Sequence, residues 1–147
     1  MNKIFKIFRI NYNNTSLYIS NLPKEDNKDY FLSFSKANNI KFVIRACFEE
    51  SYTDTFYSDN NINIFNIPFK YGCVPNEETV SKLLEIYYMC KDKEYILIQC
   101  LNGLGSAPLL CAILIIETGY DYYNTIDRIR RIIRGAFNKK QLIFLNK

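Results

Sequence analysis

The stretch Gln99-Cys100-Leu101-Asn102-Gly103-Leu104-Gly105-Ser106-Ala107-Pro108 decides the fold of this chain. It follows the apolar run Tyr95-Ile96-Leu97-Ile98, which predicts a buried strand, and it precedes an apolar stretch over 109–117 that predicts a helix. A strand, a glycine-containing loop and a helix start bring backbone N–H groups together beside the positive end of a helix dipole. The spacing therefore predicts an anion-binding loop from Cys100 to Ser106, where the Cys100 thiolate is favoured.

The composition is that of an ordinary globular protein. The chain has 147 residues, of which 48% are hydrophobic and 23% charged, enough for one hydrophobic core. We therefore expect a single domain over residues 1–147. No apolar stretch approaches the roughly 18 residues of a membrane span, and the basic N-terminus lacks the apolar core of a signal peptide. We expect a cytoplasmic protein.

Cysteine and histidine usage limits the chemistry. The chain has five cysteines and no histidine, so the commonest general base and metal ligand is missing. The cysteines form neither a metal-ligand spacing nor an even disulfide framework, which favours reduced thiols. We expect no metal and no cofactor. The five positions are Cys47, Cys73, Cys90, Cys100 and Cys111.

The charge pattern indicates protein partners rather than nucleic acid. The net charge of +4 is modest and helps an acidic partner approach, and no basic groove interleaved with aromatics is evident. The cluster Arg128, Arg130, Arg131 and Arg134 is typical of a solvated helix face, with contact to a phosphoinositide or an acidic partner as the alternative. Abundant Asn, Ile, Lys and Tyr are typical of an AT-rich genome, such as that of a virus or a protist.

Strand and helix patterns alternate along the chain, which predicts an α/β fold with a central, mainly parallel sheet flanked by helices. Strands are predicted over 16–20, 41–47, 62–67 and 94–99, helices over 26–38, 75–91, 122–134 and 138–146, and a polar loop over 49–61.

Four stretches together resemble the phosphatase of regenerating liver family (protein tyrosine phosphatase type IVA), a branch of the dual-specificity phosphatases. The loop resembles that family's Cys-Val-Ala-Gly-Leu-Gly-Arg-Ala-Pro. The others are Val43-Ile44-Arg45-Ala46-Cys47 against Ile-Val-Arg-Val-Cys, Ile67-Pro68-Phe69-Lys70-Tyr71-Gly72 against Trp-Pro-Phe-Asp-Asp-Gly, and Arg134-Gly135-Ala136-Phe137-Asn138-Lys139-Lys140-Gln141-Leu142 against Arg-Gly-Ala-Phe-Asn-Ser-Lys-Gln-Leu. The resemblance runs from about Leu17 onward and implies the cysteine-dependent dual-specificity phosphatase fold, with Cys100 as nucleophile.

Three departures from the family pattern fall on the chemistry. Gln99 stands where the family has His, Ser106 where it has the phosphate-clamping Arg, and Tyr71, after Lys70, where it has the general acid. Losing the bidentate Arg costs at least a few kcal/mol of transition-state binding, and losing the acid costs roughly 10²–10⁴-fold. Asp54 or Asp59 would replace that acid only if their loop reached the site. These losses predict a pseudophosphatase.

The resemblance also implies a partner and two alternative functions. Phosphatases of this family bind the cytosolic domain of CNNM-type magnesium transporters, whose acidic loop enters the pocket. Arg134, Lys70 and Tyr71 are then the expected contacts, although Ser106 removes a positive charge from that pocket. One alternative is a weak Cys100-dependent tyrosine phosphatase. The other is a thiol redox sensor that uses the disulfide known in the family, here Cys47–Cys100. The competing interpretation of Cys47 is that it is a small buried core residue. No cysteine lies within four residues of Lys147, so no lipid anchor is expected.

Overall fold

The structure, a computed structural model, describes residues 5–48, 54–101 and 105–146. Asn102, Gly103 and Leu104, which the sequence assigns to the anion-binding loop, lie outside the described residues. The strands are β1 (Ile7–Tyr12), β2 (Thr15–Asn21), β3 (Ile40–Arg45), β4 (Asn63–Asn66) and β5 (Tyr95–Cys100). The helices are α1 (Lys28–Ala37), α2 (Asp54–Ser58), α3 (Glu77–Met89), α4 (Ser106–Glu117), α5 (Tyr122–Ile132) and α6 (Lys139–Leu145), and a 3-10 turn at Glu25–Asn27 precedes α1.

The five strands form one sheet in the order β1-β2-β5-β3-β4. β2, β5, β3 and β4 run parallel to one another, whereas β1 is antiparallel to β2. Ile98 of the central strand β5 pairs with Ile19 of β2 on one side and with Ile44 of β3 on the other. The parallel strands therefore end together at one edge of the sheet, where Cys100 is the last residue of β5. The predicted α/β architecture, with a mainly parallel sheet flanked by helices, is confirmed.

The helix that follows Cys100 lies in the middle of the protein. Every residue of α4 from Ser106 to Ile115 is buried, which explains why its sequence is apolar on all sides. On the α4 side of the sheet, the core includes Ile19, Ile44 and Ile98, and on the other side a smaller core gathers around Phe31. Within the described ranges, no helix has the length and the apolar character that a membrane span needs. The apolar core thus fixes the start of α4 against the end of β5.

Two elements differ from the sequence-based expectation. β1 was not predicted, although Ile10 and Tyr12 are buried and alternate with exposed Arg9 and Asn11. A two-residue turn at 13–14, where both asparagines have positive φ, joins β1 to β2 in the way that tight hairpins require. The prediction of a loop over 49–61 was wrong for Asp54–Ser58, which form the short helix α2 and bury the Tyr57 side chain. A helix this short forms because of tertiary packing rather than local propensity.

Candidate functional site

The candidate site lies where β5 passes into α4. Cys100 is only 3% exposed and closes β5, and Ser106 begins α4 directly after its N-cap residue, Gly105. The neighbouring strand is fastened here because the Ala46 N–H donates to the Gln99 carbonyl at 2.7 Å. The predicted strand and helix are therefore present, with the helix N-terminus at the same sheet edge as the cysteine.

A cavity of about 280 Å³ opens at this edge, and we call it the loop cavity. Its described lining is mostly apolar and aromatic and contains no charged side chain. The lining residues are Cys47, Phe48, Phe69, Tyr71, Cys100, Leu101, Gly105 and Ser106. Three predicted site residues, Cys100, Ser106 and Tyr71, thus line the same cavity. Lys70 and Arg134 are exposed and are not among the described residues that line it.

Tyr71, at the family's general-acid position, covers the N-cap of α4. A Cβ built on Gly105 would collide with the ring of Tyr71, so only a glycine lets the ring lie this close to the backbone. Tyr71 is nevertheless 71% exposed, and Phe48 beside the same cavity is 70% exposed. The start of α4 is therefore faced by an aromatic ring that also presents a large apolar surface to solvent.

The loop that carries Tyr71 is held by the fourth sequence motif. Asn138 donates from its side-chain amide to the Gly72 carbonyl at 2.9 Å, and Gln141 donates to the Cys73 carbonyl at 3.2 Å. Gly72 has a φ of +81°, a conformation that glycine adopts without strain. Asn138 is also the N-cap of α6, where its Oδ1 accepts from the Gln141 N–H at 2.8 Å. Two motifs distant in sequence are thus one structural unit.

Arg134 lies in the turn that leads from α5 to Asn138. Arg130 fastens this turn by donating to the carbonyls of Ala136 and Phe137 at 2.9 and 3.1 Å. Phe137 has a positive φ of 72° and is buried, so the turn is anchored in the core. The exposed side chain of Arg134 is therefore carried by a fixed turn that continues into the residue holding the Tyr71 loop.

A buried polar cluster beneath the site was missed as a functional feature in the sequence analysis. Arg45 has a relative exposure of 0% and donates from Nη1 to Asn66 at 2.7 Å, with its guanidinium 5.5 Å from the centroid of the Tyr57 ring. The Arg45 carbonyl accepts from the Ile67 N–H at 2.9 Å, where the segment leading to Tyr71 begins. The signal available in the sequence was an arginine directly after the apolar run Phe42-Val43-Ile44.

Gln99 belongs to the same cluster, on the face of the sheet opposite Cys100. Its side chain is buried and lies within 3.4 Å of the Tyr57 hydroxyl. The Gln99 side chain is therefore part of the support under the site and is not among the described residues that line the loop cavity.

The two candidate replacement acids do not reach the described lining of the loop cavity. Asp54 begins α2, is 62% exposed and lies 3.6 Å from Nη1 of Arg45. Asp59 follows α2 and donates its backbone N–H to Thr55. Neither carboxylate is among the described cavity residues, so neither Asp54 nor Asp59 is placed to act as a general acid there.

The two cysteines of the expected redox pair share the loop cavity. Cys100 is buried, and Cys47 is half-buried and packs against the larger core. Both are thiols in the structure. In the part of the chain that the structure describes, no group of three His, Cys, Asp or Glu side chains is arranged to hold a metal ion.

Known proteins are similar to this chain in sequence. A PRL-1 phosphatase from Drosophila melanogaster is 31% identical over 141 residues, which cover 94% of this chain and 80% of that protein. The chain belongs to the PRL, or protein tyrosine phosphatase type IVA, family. A probable type IVA phosphatase A from Dictyostelium discoideum is 32% identical over 130 residues, covering 86% of this chain and 78% of the relative. No family model matches the chain.

The fold is shared with a solved structure of lower identity. A putative protein tyrosine phosphatase from Leishmania major superposes with a TM-score of 0.77 at 22% identity, covering 90% of this chain and 86% of that one. The predicted cysteine-dependent dual-specificity phosphatase fold is thereby confirmed. The departures at Tyr71 and Ser106 distinguish this PRL-family chain from the family motifs named above.

Proposed function

We propose that this PRL-family chain is a pseudophosphatase that works as a protein-binding module. The observation that carries the proposal is the described lining of the loop cavity, which contains the cysteine but no charged side chain. Phosphoryl transfer depends almost entirely on positioning and on charge that stabilises the transition state. A cavity with an apolar lining is poorly matched to that chemistry.

Ser106 weakens anion binding at the position of the family's arginine. An arginine there would give a bidentate, charge-assisted pair with two phosphate oxygens, worth about 1.5–3 kcal/mol per bond against ~1 kcal/mol for a neutral hydroxyl. Ser106 is buried at the first position of α4, where it offers one neutral hydroxyl in place of that guanidinium. Backbone N–H groups remain, and they provide weak anion binding at most.

Tyr71 removes the second requirement, a proton for the leaving group. A phenol is ordinarily a far weaker acid than a carboxylic acid, so it protonates a leaving group poorly at neutral pH. Its ring also lies against Gly105, on the approach to the helix N-terminus. The same residue thus lowers reactivity and narrows the entrance.

The exposed surface around the loop cavity supports a binding role. Phe48, Tyr71 and Leu101 are exposed apolar side chains at its rim, and aromatic residues are enriched in protein interfaces. Lys70 follows Phe69 in the adjacent loop, and Arg134 extends from the fixed turn after α5. We propose Arg134, Lys70 and Tyr71 as partner contacts, and the cytosolic domain of a CNNM-type magnesium transporter as the first partner to test. We further propose that residues 1–147 form one domain working in the cytoplasm.

Activity of designed variants tests the pseudophosphatase proposal. Wild type is assayed on an aryl phosphate at high enzyme concentration, beside Tyr71→Asp/Ser106→Arg and the same double variant with Cys100→Ser. We expect no turnover in wild type and Cys100-dependent turnover in the double variant. Wild-type turnover that disappears in the single variant Cys100→Ser would instead assign this chain a weak tyrosine phosphatase activity.

Calorimetry tests the partner separately. The transporter domain is titrated into wild type, Arg134→Glu and Arg131→Glu, the last being an exposed arginine already paired with Asp127. Binding that Arg134→Glu weakens and Arg131→Glu does not supports the partner surface. If no heat of binding is measured at tens of micromolar, the transporter domain is ruled out as a partner. The conclusion from the activity assay is unaffected by that result.

Cys47 and Cys100 line the same cavity, which favours a second candidate function, that of a thiol redox sensor. Peroxide oxidation of both thiols would form one S–S bond and reduce one hydrogen peroxide to two waters. Peptide mapping by mass spectrometry after mild peroxide treatment checks for a Cys47–Cys100 link, with Cys73 as the internal comparison. A missing link would end this candidate.

A further inference from the structure

A second cavity lies at the opposite end of β5 from Cys100, and we call it the hairpin cavity. It has a volume of about 420 Å³ and is formed by the β1–β2 hairpin, Tyr95 at the start of β5, and Arg128 of α5. Its described lining contains two arginines, Arg9 and Arg128, together with amide and hydroxyl side chains, and it contains no carboxylate. This polar, cationic lining contrasts with the apolar lining of the loop cavity.

Arg128 is held in place by neutral groups. Its Nη1 donates to the Asn11 carbonyl at 2.6 Å, which joins α5 to β1, and its Nη2 donates to the Tyr120 hydroxyl at 3.0 Å. The guanidinium also lies 5.5 Å from the centroid of the Tyr120 ring. These contacts orient the guanidinium without neutralising its charge.

Arg9 is oriented in a similar way from the other wall. Its Nε donates to the Ser16 hydroxyl at 3.1 Å, and that hydroxyl donates to the Asn11 side-chain oxygen at 2.7 Å. Ser16 is 5% exposed, so it is a fixed part of the cavity rather than a mobile surface group. The guanidinium of Arg9 lies 6.0 Å from the centroid of the Tyr18 ring.

Neither arginine has a counter-ion among the described residues. The nearest acidic residue in sequence, Asp127, pairs instead with Arg131 at 3.0 Å. Asp121, at the N-terminus of α5, caps that helix by accepting from the Asn124 N–H. Two oriented positive charges therefore face one open polar cavity with their charge uncompensated within the described ranges.

We propose that the hairpin cavity binds the phosphate group of a small phosphorylated ligand, either a diphosphate or a phosphate monoester. The planar guanidinium matches pairs of phosphate oxygens, and two of them suit an anion with several oxygens. The amides of Asn13 and Asn14 at the hairpin turn line the same cavity and supply further donors. This site is separate from the loop cavity and does not depend on the pseudophosphatase proposal.

Two probes distinguish a soluble ligand from a lipid headgroup. Inorganic pyrophosphate is titrated by calorimetry, and phosphatidylcholine vesicles with phosphatidic acid are tested by co-sedimentation, with phosphatidylserine vesicles as a control for charge alone. Each is measured with wild type, Arg9→Gln, Arg128→Gln and Arg131→Gln. The last variant removes an arginine from the same helix that does not line the cavity, so it controls for net charge.

We expect Arg9→Gln and Arg128→Gln each to weaken binding about tenfold or more, and Arg131→Gln to change it little. That pattern with pyrophosphate indicates a soluble ligand, and the same pattern only with phosphatidic acid indicates a lipid. Equal binding in all four proteins, or no binding of either probe, overturns the proposal. Arg9 is not part of the link between α5 and β1, so Arg9→Gln keeps the test valid if Arg128→Gln does not fold.

Discussion

The side-chain amide of Asn138 donates to the carbonyl of Gly72, joining residues 66 positions apart in the sequence at 2.9 Å. This bond links the N-terminus of α6 to the loop that carries Tyr71 over the start of α4. The same side chain caps α6, so one residue stabilises a helix and positions a site loop.

Replacing Asn138 tests that double role. Asn138→Ala removes the cap, which costs about 1 kcal/mol, and the bond to Gly72, which adds about 1 kcal/mol more. Asn76→Ala is the matched control, because Asn76 caps α3 by accepting from the Thr79 N–H at 2.8 Å, a contact local to that helix. Urea unfolding should show a loss near 2 kcal/mol for Asn138→Ala and near 1 kcal/mol for Asn76→Ala. Equal losses would mean that the link to Gly72 contributes nothing.

The buried position of Arg45 makes even a conservative change costly. Arg45→Lys keeps the charge but cannot both donate to Asn66 and present a planar guanidinium to Tyr57. We expect a loss of about 2 kcal/mol in the free energy of unfolding. Arg131→Lys, in an exposed i,i+4 pair with Asp127, should change stability by no more than ~0.5 kcal/mol. Similar values for the two variants would show that the buried guanidinium geometry is unimportant.

The sequence allowed the fold to be predicted around β5 and α4 because the signals there are local. An apolar strand, two glycines and an apolar helix follow one another directly from Tyr95 to Glu117 and leave few alternatives. Local patterns did not place Tyr71 in one site with Cys100 and Ser106, because no such pattern joins Tyr71 to Gly105. That prediction came from the family resemblance. The clamp from Asn138 and the burial of Arg45 depend on contacts between distant segments, which periodicity does not encode.

Removing the Tyr71 ring should expose the cysteine. Tyr71 and Cys100 line the same cavity, and Cys100 is only 3% exposed, so Tyr71→Ala should speed alkylation of Cys100 by iodoacetamide several-fold. Peptide mapping assigns the modification among the five cysteines. Tyr123→Ala is the matched control, since Tyr123 is equally exposed at 71% but lies on α5. An unchanged rate at Cys100 would show that Tyr71 does not guard the cavity.

Burial of Cys111 makes stability depend on alkaline pH. Burial in α4 raises the pKa of the Cys111 thiol well above its ordinary value, so the folded protein keeps a proton that the unfolded chain loses above about pH 9. The stabilisation is therefore complete below that pH and declines as pH rises, by about 1.4 kcal/mol per pH unit for one proton. Burial, followed by the nearby Glu94, also raises the pKa of Cys90 to about 12, so this half-buried thiol contributes to the same decline above about pH 9.

Replacing Cys111 separates the proton from the packing. Cys111→Ala leaves a small cavity that lowers the free energy of unfolding equally at every pH, whereas loss of the titrating thiol changes only the slope. Urea unfolding at several pH values between neutrality and pH ~10 should therefore show a lower but flatter curve above about pH 9. Cys111→Val fills the space differently, so its free energy of unfolding should differ from that of Cys111→Ala by a constant amount. Its dependence on pH above about pH 9 should be equally flat. A slope that neither variant changes would mean that another group, such as buried Tyr12, whose pKa is also raised by burial, controls the alkaline loss.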